Sequence, residues 1–549
     1  MQAHLFQGGH INYSSFTELF IQRDTMDLKK IYSISFIIPA IAVFFIALIP
    51  TLKYQWPLSW DIIYHVQYAK IYAQYGFVLT DPLLNAPYGQ NINYPPLFHF
   101  LIAGFGSILK IDYFQIARFM QPFLAMFIVL SVSYVAKKIY GNIAGISAGF
   151  LIISSYLISR IILPIPENLA LIFLPLAVYF YYRSIDEGVL KYALIAGLLF
   201  VLTILTHLVA PEVLFLVVTL FTIITLILDR NISILKNYGA FLSFLVILLV
   251  VGIVALLLLK PNLFNSLINQ GLSLISSGIR LNYNQPMSAL SYLKNIGGLI
   301  LIFAVIGCVF ALKKIERKHI LIFIWILAMF LLSNAYWFGI NVVTYRVLIY
   351  LLIPLSILGG FGLSQVYYKL KDYNTFSSRP FRSLFLVSIF ALSTFLGVLT
   401  VEDPAIATFG STTKFGYIQI SPPDDSEIDM AKWFDENGNK SRSVLVSNIY
   451  AGYFLATESE MPIHFKFENF NKSTPKSVFE EEKIGYIVYD KRLTFTSENK
   501  NIEMKLVYSL FGPLYYFNKD IHAHINEIIP DYAKVVYENN DFIICKIEY

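Results

Sequence analysis

Tyr94-Pro95-Pro96-Leu97-Phe98-His99 opens an apolar stretch that runs to Lys110, and whether it crosses a bilayer decides the topology of the chain. If it crosses, Lys137-Lys138 falls on the outer side, and the two acids Asp61 and Glu167 face opposite sides. If it lies along the surface as part of the first loop, Lys137-Lys138 is inside and both acids are outside. The later basic loops settle the choice. Arg183, Asp229-Arg230 to Lys236, Lys313-Lys314-Ile315-Glu316-Arg317-Lys318 and Lys369-Leu370-Lys371 all become cytoplasmic only in the second arrangement, as the bias of Lys and Arg toward the cytoplasmic side requires. The stretch is also short for a crossing and starts with two prolines.

Composition sets the class. Of 549 residues, 56% are hydrophobic and only 14% are charged, more apolar surface than a soluble chain of this size can hide. Apolar runs recur at close to the roughly 20 residues that cross a bilayer. The predicted fold is a polytopic α-helical membrane protein of about eleven spans, multi-pass in the plasma membrane, with its N-terminus cytoplasmic and its C-terminus outside. Residues 1–32 form a cytoplasmic leader, and residues 33–401 carry the spans. Within the latter, residues 53–112 are the first outer loop and residues 260–294 a long outer loop holding Gly271, Ser276, Ser277, Gly278 and Arg280. Residues 402–549 turn charged and polar and predict an extracytoplasmic mixed α/β domain. Its strands are expected at Ser443-Val444-Leu445-Val446, from Ile484 to Tyr489 and from Phe542 to Ile547, and a helix from Ser426 to Glu436. The net charge of +5 is small and the basic residues cluster at span ends, which points to topology and not to nucleic acid. Cys308, within a span, and Cys545, near the C-terminus, do not form a disulfide framework or a thiolate metal site.

An ionisable side chain near the membrane interior is costly, so its presence points to function. Asp61 follows the first span in Trp60-Asp61-Ile62-Ile63-Tyr64-His65; His65, four residues on, shares its helical face. The bland alternatives are an N-cap for Asp61 and a packed imidazole for His65. Glu167 follows Pro164 and Pro166 at the first turn of a later span, where the helix dipole also favours a carboxylate. Arg160, seven residues earlier, is a candidate ligand contact or a snorkelling anchor. Arg346, in Thr344-Tyr345-Arg346-Val347-Leu348-Ile349-Tyr350, sits at the outer start of a span, where Arg is disfavoured. Its planar fork suits phosphate oxygens; the alternative is a pair with a neighbouring carboxylate. Tyr94, His99 and His207 are further candidate binding residues at the outer rim. There is no Walker loop, dinucleotide fingerprint, His-Glu-x-x-His or nucleophile elbow in a convincing context. Without a phosphate-cradling loop for a soluble nucleotide-sugar, Arg346 at the rim favours a lipid-linked phosphate.

At these residues the chain resembles the GT-C superfamily of integral-membrane glycosyltransferases, and most closely the catalytic subunit of oligosaccharyltransferase of the archaeal and bacterial single-subunit type. The similarity rests on the acid in Ser59-Trp60-Asp61, on the Arg160-to-Glu167 spacing, on Tyr345-Arg346 followed by aliphatic residues to Pro354, and on the outer C-terminal domain. It departs from the family in three places. The Trp-Trp-Asp-Tyr-Gly signature should fall near Val446 to Tyr453, where both tryptophans and the aspartate are missing. The second acid of the family's Asp-x-Asp or Asp-x-Glu pair would fall at Leu169, and the long outer loop holds no glutamate. Of the divalent-cation site (Mg or Mn) that the resemblance implies, only Asp61 and Glu167 remain.

The resemblance implies an inverting glycosyltransferase that takes a sugar or oligosaccharide from a polyprenyl- or dolichyl-phosphate donor and passes it to a protein, lipid or glycan at the outer face. Asp61 and Glu167 would be catalytic and Arg346 would hold the donor phosphate. Two other readings stand beside it: a transporter or flippase of lipid-linked sugars, for which an inverted repeat would be expected and none is seen, and a non-catalytic relative acting as a scaffold.

Overall fold

The computed structural model of the chain describes residues 32–259, 261, 286–340, 342–373, 378–499, 501–509 and 512–549. Gly271, Ser276, Ser277, Gly278 and Arg280 of the long loop lie outside the described residues.

In chain order the membrane part runs through α1 (Ile38–Lys53), α2 (Asp61–Tyr75), α3 (Leu97–Leu109), α4 (Tyr113–Tyr140), α5 (Asn142–Ile153) and the single turn α6 (Ile158–Ile161). It continues through α7 (Pro166–Asp186), α8 (Leu190–Ile204), α9 (Val209–Asp229), α10 (Ile234–Leu259), α11 (Ala289–Ile296) and α12 (Gly298–Lys313). α13 (Arg317–Ser333), α14 (Thr344–Lys369) and α15 (Arg379–Glu402) complete it. Each segment expected to span is helical, but the expected count of about eleven is not matched by bilayer-length helices. Among the described residues seven are long and apolar enough to cross alone, or eight if α11 and α12, bent by 102° at their break, count as one. The shortfall has local causes. α5 ends at Ile153, where the Ser154 hydroxyl turns back onto the Leu151 carbonyl and the Ser155 hydroxyl donates across to the Asn295 carbonyl of α11. Pro166 then starts α7 afresh after extended Ile165.

The stretch after Tyr94 forms α3, whose 13 residues reach about 20 Å, well short of the roughly 30 Å hydrocarbon core. It packs against α2, a helix of mixed polarity that is itself no candidate span, and against α4.

α14 is the central post, with 89% of its most apolar window buried. Small residues let its neighbours approach backbone to backbone. A Cβ on Gly362 would lie 2.0 Å from the Phe303 carbonyl oxygen of α12, and one on Gly360 would lie 2.4 Å from the Ala144 carbonyl oxygen of α5. That post carries Arg346 at one end and, a turn further in, Tyr350.

The region after Glu402 is mixed α/β. The segment between α2 and α3 contributes a small ladder, β1 (Thr80–Asp81) with β2 (Gln90–Asn91), and a hairpin β3 (Phe409–Thr413)–β4 (Gly416–Ser421) follows α15. β5 (Ser443–Val446), β6 (Ile463–His464) and β7 (Ile484–Asp490) follow, then the hairpin β8 (Met504–Ser509)–β9 (Gly512–Phe517), and finally β10 (Ala533–Glu538) and β11 (Phe542–Ile547). A five-stranded sheet has the order β10-β11-β7-β5-β6, parallel at β7-β5-β6 and antiparallel at the other end. The helix expected from Ser426 is α16 (Asp425–Asn437), opened by a capping box in which Asp424 and Glu427 satisfy each other's backbone N–H groups. A second helix, α17 (Ile449–Ser459), follows β5. The segment between α2 and α3 extends the sheet beyond β6: the Ile463 N–H donates to the Leu83 carbonyl at 2.6 Å and the Ala86 N–H to the Ile463 carbonyl at 2.8 Å. This pairing clamps the α/β region over the face that carries α2.

Candidate active site

Glu167 lies in the first turn of α7 and is only 3% exposed. Its Oε2 accepts two bonds from Arg160, from Nε at 2.9 Å and from a terminal guanidinium nitrogen. Its Oε1 accepts from the Tyr350 hydroxyl of α14 at 3.0 Å. A buried carboxylate needs such partners, because an unpaired one would be far too costly. The turn that presents Arg160 is itself pinned. The Asn168 side-chain amide donates to the carbonyls of Arg160 (2.8 Å), Ile161 (3.0 Å) and Leu163 (2.7 Å), satisfying groups left open where α6 ends. Arg160 is therefore an internal partner of Glu167 and not a free anchor at a span end.

Asp61 is the first residue of α2, one position inside the cap. The Ser59 hydroxyl accepts the Asp61 N–H at 3.2 Å. Among the described residues the Asp61 carboxylate makes no hydrogen bond and no ion pair, so the N-cap alternative does not describe it. It is half-buried, and burial pushes its carboxyl up to about 6; the Arg346 and Arg160 guanidiniums work against that rise and Glu167 adds to it. These four side chains thus share one electrostatic site. Arg346, on the first turn of α14, is half-buried. Its side chain donates to the Tyr345 hydroxyl at 3.5 Å, and among the described residues it has no carboxylate within ion-pair distance. Pairing with a neighbouring acid, the alternative for Arg346, is therefore not what holds it.

Three imidazoles pack near Tyr94. His65 and His99 are buried and bonded to each other, Nδ1 to Nε2, at 2.9 Å. Tyr94 packs edge-on to His65 at 5.0 Å and faces His207 at 6.3 Å. His207 Nδ1 accepts the backbone N–H groups of Val209 and Ala210 and so caps α9. Burial holds His65 well below its ordinary value, His99 near 3 and His207 near 4, so all three are neutral at physiological pH. Of the residues named from sequence, Asp61, Glu167, Arg160, Arg346, Tyr94 and His207 meet electrostatically in one place. His65 and His99 stand one layer further in. Tyr350 and Asn168 were not among them. Tyr350 is four residues after Arg346, a spacing that puts both on one helical face, and Asn168 directly follows Glu167.

The α/β region closes the other side. Tyr450 of α17 packs edge-on to Trp60 at 6.2 Å, and the Tyr453 hydroxyl is 3.2 Å from that of Tyr64. The stretch where the oligosaccharyltransferase signature was expected thus reaches the helix that carries Asp61.

The donor set does not fit a divalent cation. Both oxygens of Glu167 are engaged by Arg160 and Tyr350, two guanidiniums act on Asp61, and among the described residues no group of three or more His, Cys, Asp or Glu could hold a metal.

The family model described as oligosaccharyl transferase STT3, N-terminal, matches residues 60–279. No curated protein sequence matches the chain. Among solved structures, the Archaeoglobus fulgidus oligosaccharyltransferase in complex with Zn and sulfate is 14% identical, with a TM-score of 0.58 over 84% of this chain and 68% of that one. Archaeoglobus fulgidus AglB, in complex with an inhibitory peptide and a dolichol-phosphate, is 14% identical, with a TM-score of 0.55 over 87% of this chain and 74% of that one. ArnT from Cupriavidus metallidurans bound to undecaprenyl phosphate is 12% identical, with a TM-score of 0.53 over 93% and 97%. By fold this chain is similar to these membrane-protein structures, and its residues 60–279 match the N-terminal STT3 family model.

Proposed function

We propose that the chain transfers a sugar or oligosaccharide from a polyprenyl- or dolichyl-phosphate carrier to an acceptor at the outer membrane face, with inversion at the anomeric carbon. The observation that carries this reading is that, among the described residues, the Asp61 carboxylate has no hydrogen-bond partner and the Arg346 guanidinium no acid partner, while Arg346 acts electrostatically on Asp61. Asp61 accepts the acceptor's proton as its nucleophilic atom attacks the anomeric carbon. Arg346 binds the phosphate and stabilises the charge that grows on it as the glycosidic bond breaks. Glu167 and Arg160 form a neutral buried pair that fixes the floor between them. The structures of similar fold that hold dolichol-phosphate and undecaprenyl phosphate support a lipid-phosphate donor. The reading is tested with purified protein in detergent, radiolabelled lipid-linked sugars from the host membrane, and Asp61→Asn and Arg346→Ala variants. Loss of transfer in Asp61→Asn and a raised donor KM in Arg346→Ala are expected. Full activity in Asp61→Asn removes the reading, and a product of retained anomeric configuration removes inversion.

A further inference from the structure

Glu167 cannot serve an acceptor in the way Asp61 can. Both lone pairs of Oε2 are taken by Arg160, Oε1 holds the Tyr350 hydroxyl, and 3% exposure leaves almost no surface for a substrate to reach. Among the described residues of the site, one carboxylate, Asp61, remains available. This limits the chemistry of the nucleophile. A carboxamide nitrogen is a poor nucleophile because its lone pair is delocalised into the carbonyl, and it carries two protons. Twisting it out of conjugation calls for two acceptors, one on each N–H. An alcohol oxygen already holds a localised lone pair and has one proton to give, so a single base suffices. The residues flanking Asp61 in the chain agree: Trp60 and Tyr64 are half-buried, are backed by Tyr450 and Tyr453, and carry flat rings with polar edges.

We infer that the acceptor is a sugar hydroxyl and not an asparagine side chain, and that Tyr350 is the residue that, with Arg160, withholds Glu167 from the acceptor. The inference rests on the glycosyl-transfer reading above. In the step, the acceptor oxygen bonds to the anomeric carbon, the bond from that carbon to the donor phosphate oxygen breaks, and the electron pair leaves with the lipid phosphate. The hydroxyl proton passes to Asp61 and then to water.

The test uses the full chain in phospholipid-detergent micelles, with radiolabelled lipid-linked sugars extracted from the host membrane. One arm offers octyl mannoside and octyl glucoside, the other an Asn-X-Thr peptide at equal concentration. Label on an octyl glycoside, dependent on Asp61 and without label on the peptide, supports the inference. Label on the peptide overturns it. Donor left unconsumed in both arms overturns the transfer reading and the inference with it. Tyr350→Phe and Glu167→Gln give a second readout, kept separate in case one fails to fold. If Glu167 only holds Arg160, both raise the donor KM while kcat changes less than about tenfold. If Glu167 accepts a proton or N–H from the acceptor, Glu167→Gln lowers kcat by about 10²-fold or more with donor KM unchanged, and the inference falls.

Discussion

Lowering the pH should switch off transfer through Asp61 alone. Burial raises this carboxyl to about 6, with Arg346 and Arg160 opposing the rise and Glu167 adding to it. A base acts only when ionised, so activity falls as pH falls through that value. With a pKa near 6, about one tenth of the protein is active at pH 5 and about nine tenths at pH 7, so kcat/KM should rise about tenfold between them. The neutral imidazoles nearby do not titrate in that window from the folded state, since His99 and His207 sit near 3 and 4. Asp61→Asn should lower kcat by about 10²–10⁴-fold, or about 3–5 kcal/mol of transition-state stabilisation, and its residual rate should no longer depend on pH between 5 and 7. The assay is initial-rate transfer of labelled sugar from lipid-linked donor in detergent at fixed ionic strength. A wild-type profile flat from pH 5 to 8, or one that persists unchanged in Asp61→Asn, would refute the assignment of the base.

Three further outcomes follow from the same geometry. Arg346→Ala should raise the donor KM by about 10–100-fold, the worth of hydrogen bonds to a charged group, and Arg346→Lys should recover part of it because a point charge replaces a two-pronged fork. Arg160→Ala leaves Glu167 ionised and unpaired in the interior, so thermal unfolding in detergent should show a loss on the order of 3–5 kcal/mol, much reduced when Glu167→Gln is added. In the α/β region, burial, Asp424 and Asp490 outweigh the Arg492 guanidinium and hold Glu427 up near 8. The folded state therefore keeps a proton that the unfolded chain releases above its ordinary value of 4.5. Stability should fall as pH rises from about 5 to 8, and Glu427→Gln should remove that fall.

Much of the architecture was legible because it is local. β5 and β11 match their predicted strands residue for residue, and β7 does so to within one residue, since β-branched and aromatic runs bounded by polar residues mark buried strands. α16 starts where its polar cap signals it. Asp61, Glu167 and Arg346 were legible because charge beside apolar spans is costly. Span lengths were not: hydropathy sees an apolar run but not the serine turn that ends α5 or the bend between α11 and α12. Helical spacing put Asp61 and His65 on one face, but α3 packs there and buries His65 against His99 while Asp61, at the helix end, stays half open. The bond from Tyr350 to Glu167 joins residues 183 apart in sequence; no local pattern announces it, and it decides which acid is free to react.

The central claim is that Asp61 and Arg346 open into one cleft on one face of the membrane. Single-cysteine variants Asp61→Cys and Arg346→Cys, made after Cys308 and Cys545 are changed to serine, can be labelled in intact cells with a membrane-impermeant thiol reagent. The account predicts that both react from the outside, and that soaking with polyprenyl phosphate slows both. Reaction of one from outside and of the other only after the membrane is opened would contradict it.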